Sequence, residues 1–219
     1  MKNNYLLFLC FIVFTSCYVI PSFQAPSYHY NYATFNKGLD YDGKKYLLNP
    51  TNYKTNELSK GIYSPIITKF FKKKLGGNLY ENLEVKDDNG KVLIPFDFNY
   101  EITDSQIAFL KQNTDLDYII LTKMLSLEHA KNEKLNRVDE RRFKLARTGG
   151  ISFIKILDIK TKSVLIELSC SATVIVNRNM LEDLEAENQN RAPKQQFSIY
   201  KSSKKLREKS IKMLLKKMK

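Results

Sequence analysis

Three cysteines and two histidines are the residues of this 219-residue chain best suited to nucleophilic, metal-binding or proton-transfer chemistry. Cys17 closes the stretch Phe14-Thr15-Ser16-Cys17, directly behind an apolar run. Cys10 lies inside that run, and Cys170 lies in a β-rich segment where a buried, inert thiol is expected. A lone cysteine in the folded part cannot form an internal disulfide, so the fold must be held by its core. His29 and His129 are far apart in sequence, and each reads as a surface histidine. The chain has no HExxH, no paired metal-ligand spacing, no GxSxG and no P-loop. Gly76-Gly77 and Gly149-Gly150 read as turns rather than phosphate cradles. No carboxylate pair is singled out, so neither catalytic residues, a metal nor a cofactor is expected.

The segment in front of Cys17 decides the compartment. Lys2 precedes a run of apolar residues that reaches at most Ile20 before Pro21 stops it. A bilayer core requires about 20 apolar residues in helical form, so the run is too short to span. A short apolar stretch behind a positive charge fits an export signal. Thr15, Ser16 and Cys17 resemble the lipobox of bacterial lipoprotein precursors, with Phe14 where that family usually has leucine. The resemblance implies a signal peptide over 1–16. It also implies that Cys17 is the new N-terminus, carrying diacylglycerol and acyl chains such as palmitate. Each buried methylene contributes about 0.8 kcal/mol, and two or more chains give stable anchoring. Ordinary cleavage and release, an uncleaved anchor and a core helix are the competing readings. Cleavage after Ala25 is disfavoured because Pro26 follows.

The remaining chain, about 200 residues with 43% hydrophobic content overall, suffices for one domain with a real core. The net charge of +13 is unevenly placed. Residues 201–219 carry nine Lys or Arg against Glu208 alone, a surplus of eight. The apolar positions there, Ile199, Leu206, Ile211, Met213, Leu214 and Met218, form a stripe at helical spacing. Lys201, Lys205, Lys212, Lys216 and Lys219 fall opposite and make a candidate contact face. Such a face could meet an acidic protein partner, anionic lipid or cell-wall polymer, each basic residue contributing about 1 kcal/mol near an anionic membrane. A solvated face on a helix that covers the sheet is the preferred reading. Nucleic acid is not expected as a partner of an exported chain.

The elements that would position these groups are readable in outline. Residues 17–43 form a tether in which Tyr28, Tyr30 and Tyr32 alternate, open to reading as an edge strand, a stacking platform or rings packed on the domain. Residues 45–49 predict a strand. Ser64-Pro65 has the form of a helix cap followed by proline at the first helical position, and Gly76-Gly77 ends that helix. Residues 92–98 predict an extended edge segment containing Pro95. Thr103 and Gln106 form a capping box before a short helix. The clearest central strand is 117–127, and 128–147 is a polar excursion. Residues 151–159 and 164–176 read as a β-hairpin about the turn 158–163. The sum is α/β (α+β), a single domain over 44–219, with a mixed sheet covered by helices in the order β-α-β-α-β-β-β-α.

That order, with "DYIILTKMLSL", "ISFIKILDIKTKSVLIELSCSATV" and a closing lysine-rich helix, resembles the α/β domain shared by TolB N-terminal domains, LpoB and the soluble part of CsgG. In that group the hairpin turn often reads DxxTG; here Lys162 stands where the glycine would be. The long transmembrane hairpins of a CsgG-type pore are not evident. The resemblance implies a non-catalytic interaction or accessory module of the bacterial cell envelope, bound to an envelope protein partner. It would sit on a membrane through Cys17, with the outer membrane facing the periplasm as its expected place. An exported enzyme, a secreted soluble binding protein and an intracellular nucleic-acid binder are the alternatives.

Overall fold

The computed structural model describes residues 27–36, 38–39, 43–55, 58, 60–130, 146–175 and 201–218. All of these except Ser27 belong to one unit made of Tyr28–Ile175 and Lys201–Lys219. Cys17, Ile199 and Lys219 lie outside the described residues.

An eight-stranded mixed sheet organises the unit, in the order β1 (Ser27–Asn36), β8 (Val164–Ile175), β7 (Thr148–Asp158), β6 (Tyr118–Ser126), β2 (Tyr46–Leu48) and β5 (Leu79–Glu81). Strands β3 (Thr51–Lys54) and β4 (Gly61–Ile62) extend it, with β3 also pairing β6. β6 runs parallel to β2 and β3 on one side and antiparallel to β7 on the other. It is central, as expected, and all but one of its nine residues are buried. The period of two sends Ile120 and Met124 to one face, and Ile119 and Leu121 to the other.

Helices cover both faces. On the first, α1 (Pro65–Leu75) buries Ile67, Phe71 and Leu75, and α4 (Ser203–Lys217) adds Ile211, Leu214 and Leu215 to the same cluster. On the second, Ile107 and Leu110 of α2 (Asp104–Asn113) join Ile94, Phe98 and Tyr100. The reciprocal capping box of Thr103 and Gln106 starts α2 as the sequence predicts. A single turn, α3 (Leu127–Ala130), follows β6. Among the described residues no helix is long and apolar enough to cross a membrane.

The fold class stands, but four local expectations need correction. Residues 92–98 do not form a strand; only Val92 makes an isolated bridge, to Lys86. Side-chain bonds replace the ladder there. Buried Asn49 donates to the Phe98 carbonyl at 2.8 Å and accepts from the Phe98 amide at 2.8 Å. The strand expected between the first two helices is instead β5. Gly149-Gly150 is not a turn but part of β7, where glycine permits close packing. The alternating tyrosines lie on a true edge strand, β1, and Tyr30 packs against the first core cluster with Lys209 Nζ 4.9 Å from its ring centroid.

The hairpin turn forms as predicted, with Asp158 Oδ1 accepting from the amides of Lys160 and Thr161 at 2.7 and 2.8 Å. Lys162 has φ of 60°, the left-handed conformation that suits the glycine of the resembled group.

At the same end, Asp117 ties three pieces together. It accepts from Lys160 Nζ at 2.7 Å and from the Lys45 amide at 3.0 Å, and Lys44 Nζ lies 3.7 Å away. Burial favours its neutral form, but these donors and cations outweigh burial and hold its pKa below the usual carboxylate value.

This packing sets the cost of two substitutions. A Cβ on Gly150 would stand 2.5 Å from Arg207 Cγ and 2.8 Å from the fixed Leu125 carbonyl. Gly150→Ala is expected to cost about 2 kcal/mol in urea denaturation, by overpacking, whereas Gly77→Ala, in open space, is expected to be nearly neutral. Asp117→Asn should cost about 2 kcal/mol at pH 7 by losing a charge-assisted bond. A depressed carboxylate stabilises above its unfolded pKa, near 3.9, and that contribution is lost as pH falls through the lower folded value. The stability gap between the Asp117→Asn variant and the unaltered chain should therefore narrow between about pH 4 and pH 2; a constant gap would refute the assignment.

Candidate binding cleft

β3 and β6 run in parallel toward the first turn of α1, and the carboxyl ends of parallel strands are where open α/β sheets place ligands. A cleft of about 510 Å³ lies there. Tyr53 of β3 and Met124 of β6 line it, Ile62 of β4 and Ser64, Pro65 and Ile66 of the α1 start form one wall, and α4 contributes Lys204, Arg207, Glu208 and Ile211. A smaller hollow of about 180 Å³ near Lys45 and Asp115 sits at the opposite strand ends.

Sequence explains each wall. Proline at the first helical position of α1 removes an amide that would have no partner in any case. Ser64 has the extended backbone of a cap, yet its side chain makes no capping bond and instead hydrogen-bonds Tyr53. On α4, Ser202 caps the helix by accepting from the Lys205 amide. Arg207 is only 6% exposed, and its stem lies against Gly150. Ser152 and Ser210 join side chains at 2.7 Å below it, and Ser210 donates to the Arg207 carbonyl at 2.8 Å. Small residues at 150, 152 and 210 thus let the helix approach the sheet closely enough to bury the arginine.

Burial raises the Tyr53 phenol pKa, opposed by its bond with Ser64 and by Arg207. Tyr53 therefore remains a neutral phenol at physiological pH and serves as a hydrogen-bonding, apolar surface. Tyr63 nearby is pushed up to about 12 by burial. The cleft lining contains no histidine or cysteine. The chemistry available is recognition by cations, hydroxyls and apolar side chains.

The residues singled out in the sequence divide. Lys201, Lys205, Lys212 and Lys216 are exposed on α4 or just before it, as the solvated-face reading expects. They lie away from the helix's buried residues, and Lys204 rather than these lines the cleft. Cys170 is fully buried and free. His129 pairs with Ser126, Oγ to Nδ1 at 2.9 Å, at the end of β6. Arg207 is the cleft residue that sequence reasoning misses, because it counts there as one more charge. Its spacing to Ile211, Leu214 and Met218, in steps of four, three and four residues, puts it on the apolar stripe. The cleft itself joins segments more than 60 residues apart and has no linear signature.

No family model matches the chain, and no curated protein matches it. Solved structures show a distant structural similarity to PelC dodecamers from Paraburkholderia phytofirmans. A single-substitution PelC variant in space group C2 has 8% identity and a TM-score of 0.32, covering 74% of this chain and 91% of that one. PelC in space group P6 has 6% identity and a TM-score of 0.30 with the same coverages.

Exposed charges contribute little to folding. The double charge reversal of Lys205 and Lys212 to Glu is expected to change stability by under about 1 kcal/mol in thermal or urea melts. A larger loss would show that this face is packed rather than solvated.

Proposed function

We propose that the chain is a lipid-anchored envelope protein that works by binding rather than by catalysis. Cys17 carries the anchor, the α/β unit is the working body, and the lysines of α4 face outward as a candidate contact surface. The single observation behind this reading is the sequence at the start: a short apolar run behind Lys2 ending in Thr15-Ser16-Cys17. A run of that length is too short to span a bilayer but long enough to direct export. Two or more acyl chains on one cysteine then hold the body at a membrane with no protein span. Exposed Lys201, Lys205, Lys212 and Lys216 support a role toward anionic headgroups, cell-wall polymer or an acidic envelope protein.

The test uses metabolic labelling with a fatty acid in a bacterial host. The unaltered chain should incorporate label and stay with membranes through a high-salt wash. Cys17→Ser should lose the label and the membrane retention, while its melting curve stays unchanged. Retention of the Cys17→Ser chain after the salt wash, or an intact unacylated Met1, would overturn the reading.

A further inference from the structure

We propose that the cleft between α1 and α4 binds a small amphiphile bearing one anionic group on an apolar body. The proposal goes beyond membrane anchoring and does not depend on Cys17.

Three features of the cleft select this ligand class. The first is size: about 510 Å³ is in the range of small-molecule sites, roughly 300–1,000 Å³, and too small for a folded partner. The second is apolar surface. Ile62, Ile66, Met124 and the Tyr53 ring offer a body-binding wall, and Ile62 keeps 38% of its surface exposed, which a ligand would cover. The third is charge. The lining holds Lys204 and Arg207 against Glu208, two cations and one carboxylate, a surplus of one positive charge. Arg207 is held in the wall by Gly150 and the Ser152–Ser210 pair, so its position is fixed before any ligand arrives.

The α1 start is compatible with the same sign of charge. Its first turn has no acidic residue, and Ser64 gives its side chain to Tyr53 rather than to capping. The first intrahelical bond runs from the Thr68 amide to the Ser64 carbonyl, so the Ile66 and Ile67 amides precede the helical ladder. A dianion would exceed the single surplus charge, and a cation would meet Lys204 and Arg207. A singly charged head such as a carboxylate beside α4, with its tail over Met124 and Ile62, satisfies every wall.

Calorimetric titration of the purified full-length chain tests this with octanoate, octanol and octylammonium, all as monomers in solution. Octanoate should saturate at one per chain and bind at least tenfold more tightly than either of the others. Lys204→Glu, at an exposed position, should weaken octanoate at least tenfold and leave octanol unchanged. Ile62→Trp should block octanoate by filling the apolar wall, with the melting curve confirming that the variant is folded. Absence of saturable octanoate binding, or equal affinity for the three compounds, would overturn the proposal. The ligand series on the unaltered chain decides this even if a variant does not fold.

Discussion

The close docking of α4 on β7 governs most of this structure. Helix and strand meet where Gly150 has no side chain and where Ser152 and Ser210 are small enough to share a 2.7 Å hydrogen bond. A larger group at any of these positions would push α4 outward and separate Ile211 and Leu214 from the sheet face they complete. Interiors packed to crystal-like density do not absorb such a displacement locally. The contact is polar at its centre, yet each hydroxyl there has a partner, so burial of the serines is not penalised.

The same contact builds the cleft. By bringing α4 down to the sheet it presses the Arg207 stem against Gly150 and turns the helix start toward the carboxyl ends of β3 and β6. Burial of a guanidinium is costly unless it is paired or held where its charge is used. The opposite end of the sheet is organised differently. There a single carboxylate, Asp117, gathers Lys44, Lys160 and the Lys45 backbone, and so fixes the hairpin turn relative to the first core strand. One end is closed by charge pairing and the other is left open with an excess of positive charge.

Much of this architecture is legible in the residues, and the reasons are local. β6 is apolar on both faces, the α2 start carries a reciprocal capping box, and the hairpin turn begins with an aspartate that bonds its own backbone. Each signal lies within a few residues of the element it defines. Segment 92–98 misleads because its apolar residues, Ile94 and Phe98, serve a core without a ladder, pinned by Asn49 from 49 residues away. Gly149-Gly150 misleads because glycine marks close approach as well as turns, and which one applies depends on a helix far along the chain. The cleft is not legible, since its walls meet only after folding. The lysine face is, because helical spacing alone separates it from the buried stripe.

Placement of α4 has a consequence for biogenesis. The face of β6, β7 and β8 that carries Ile120, Ile154 and Ile166 gains part of its cover only from residues beyond 200. Until those residues emerge from the ribosome, this face stays bare and the domain has no complete core to close around. A nascent chain in that condition is extended and readily threaded through a narrow conduit. Final collapse is thereby deferred until synthesis, and any passage across a bilayer, is nearly finished.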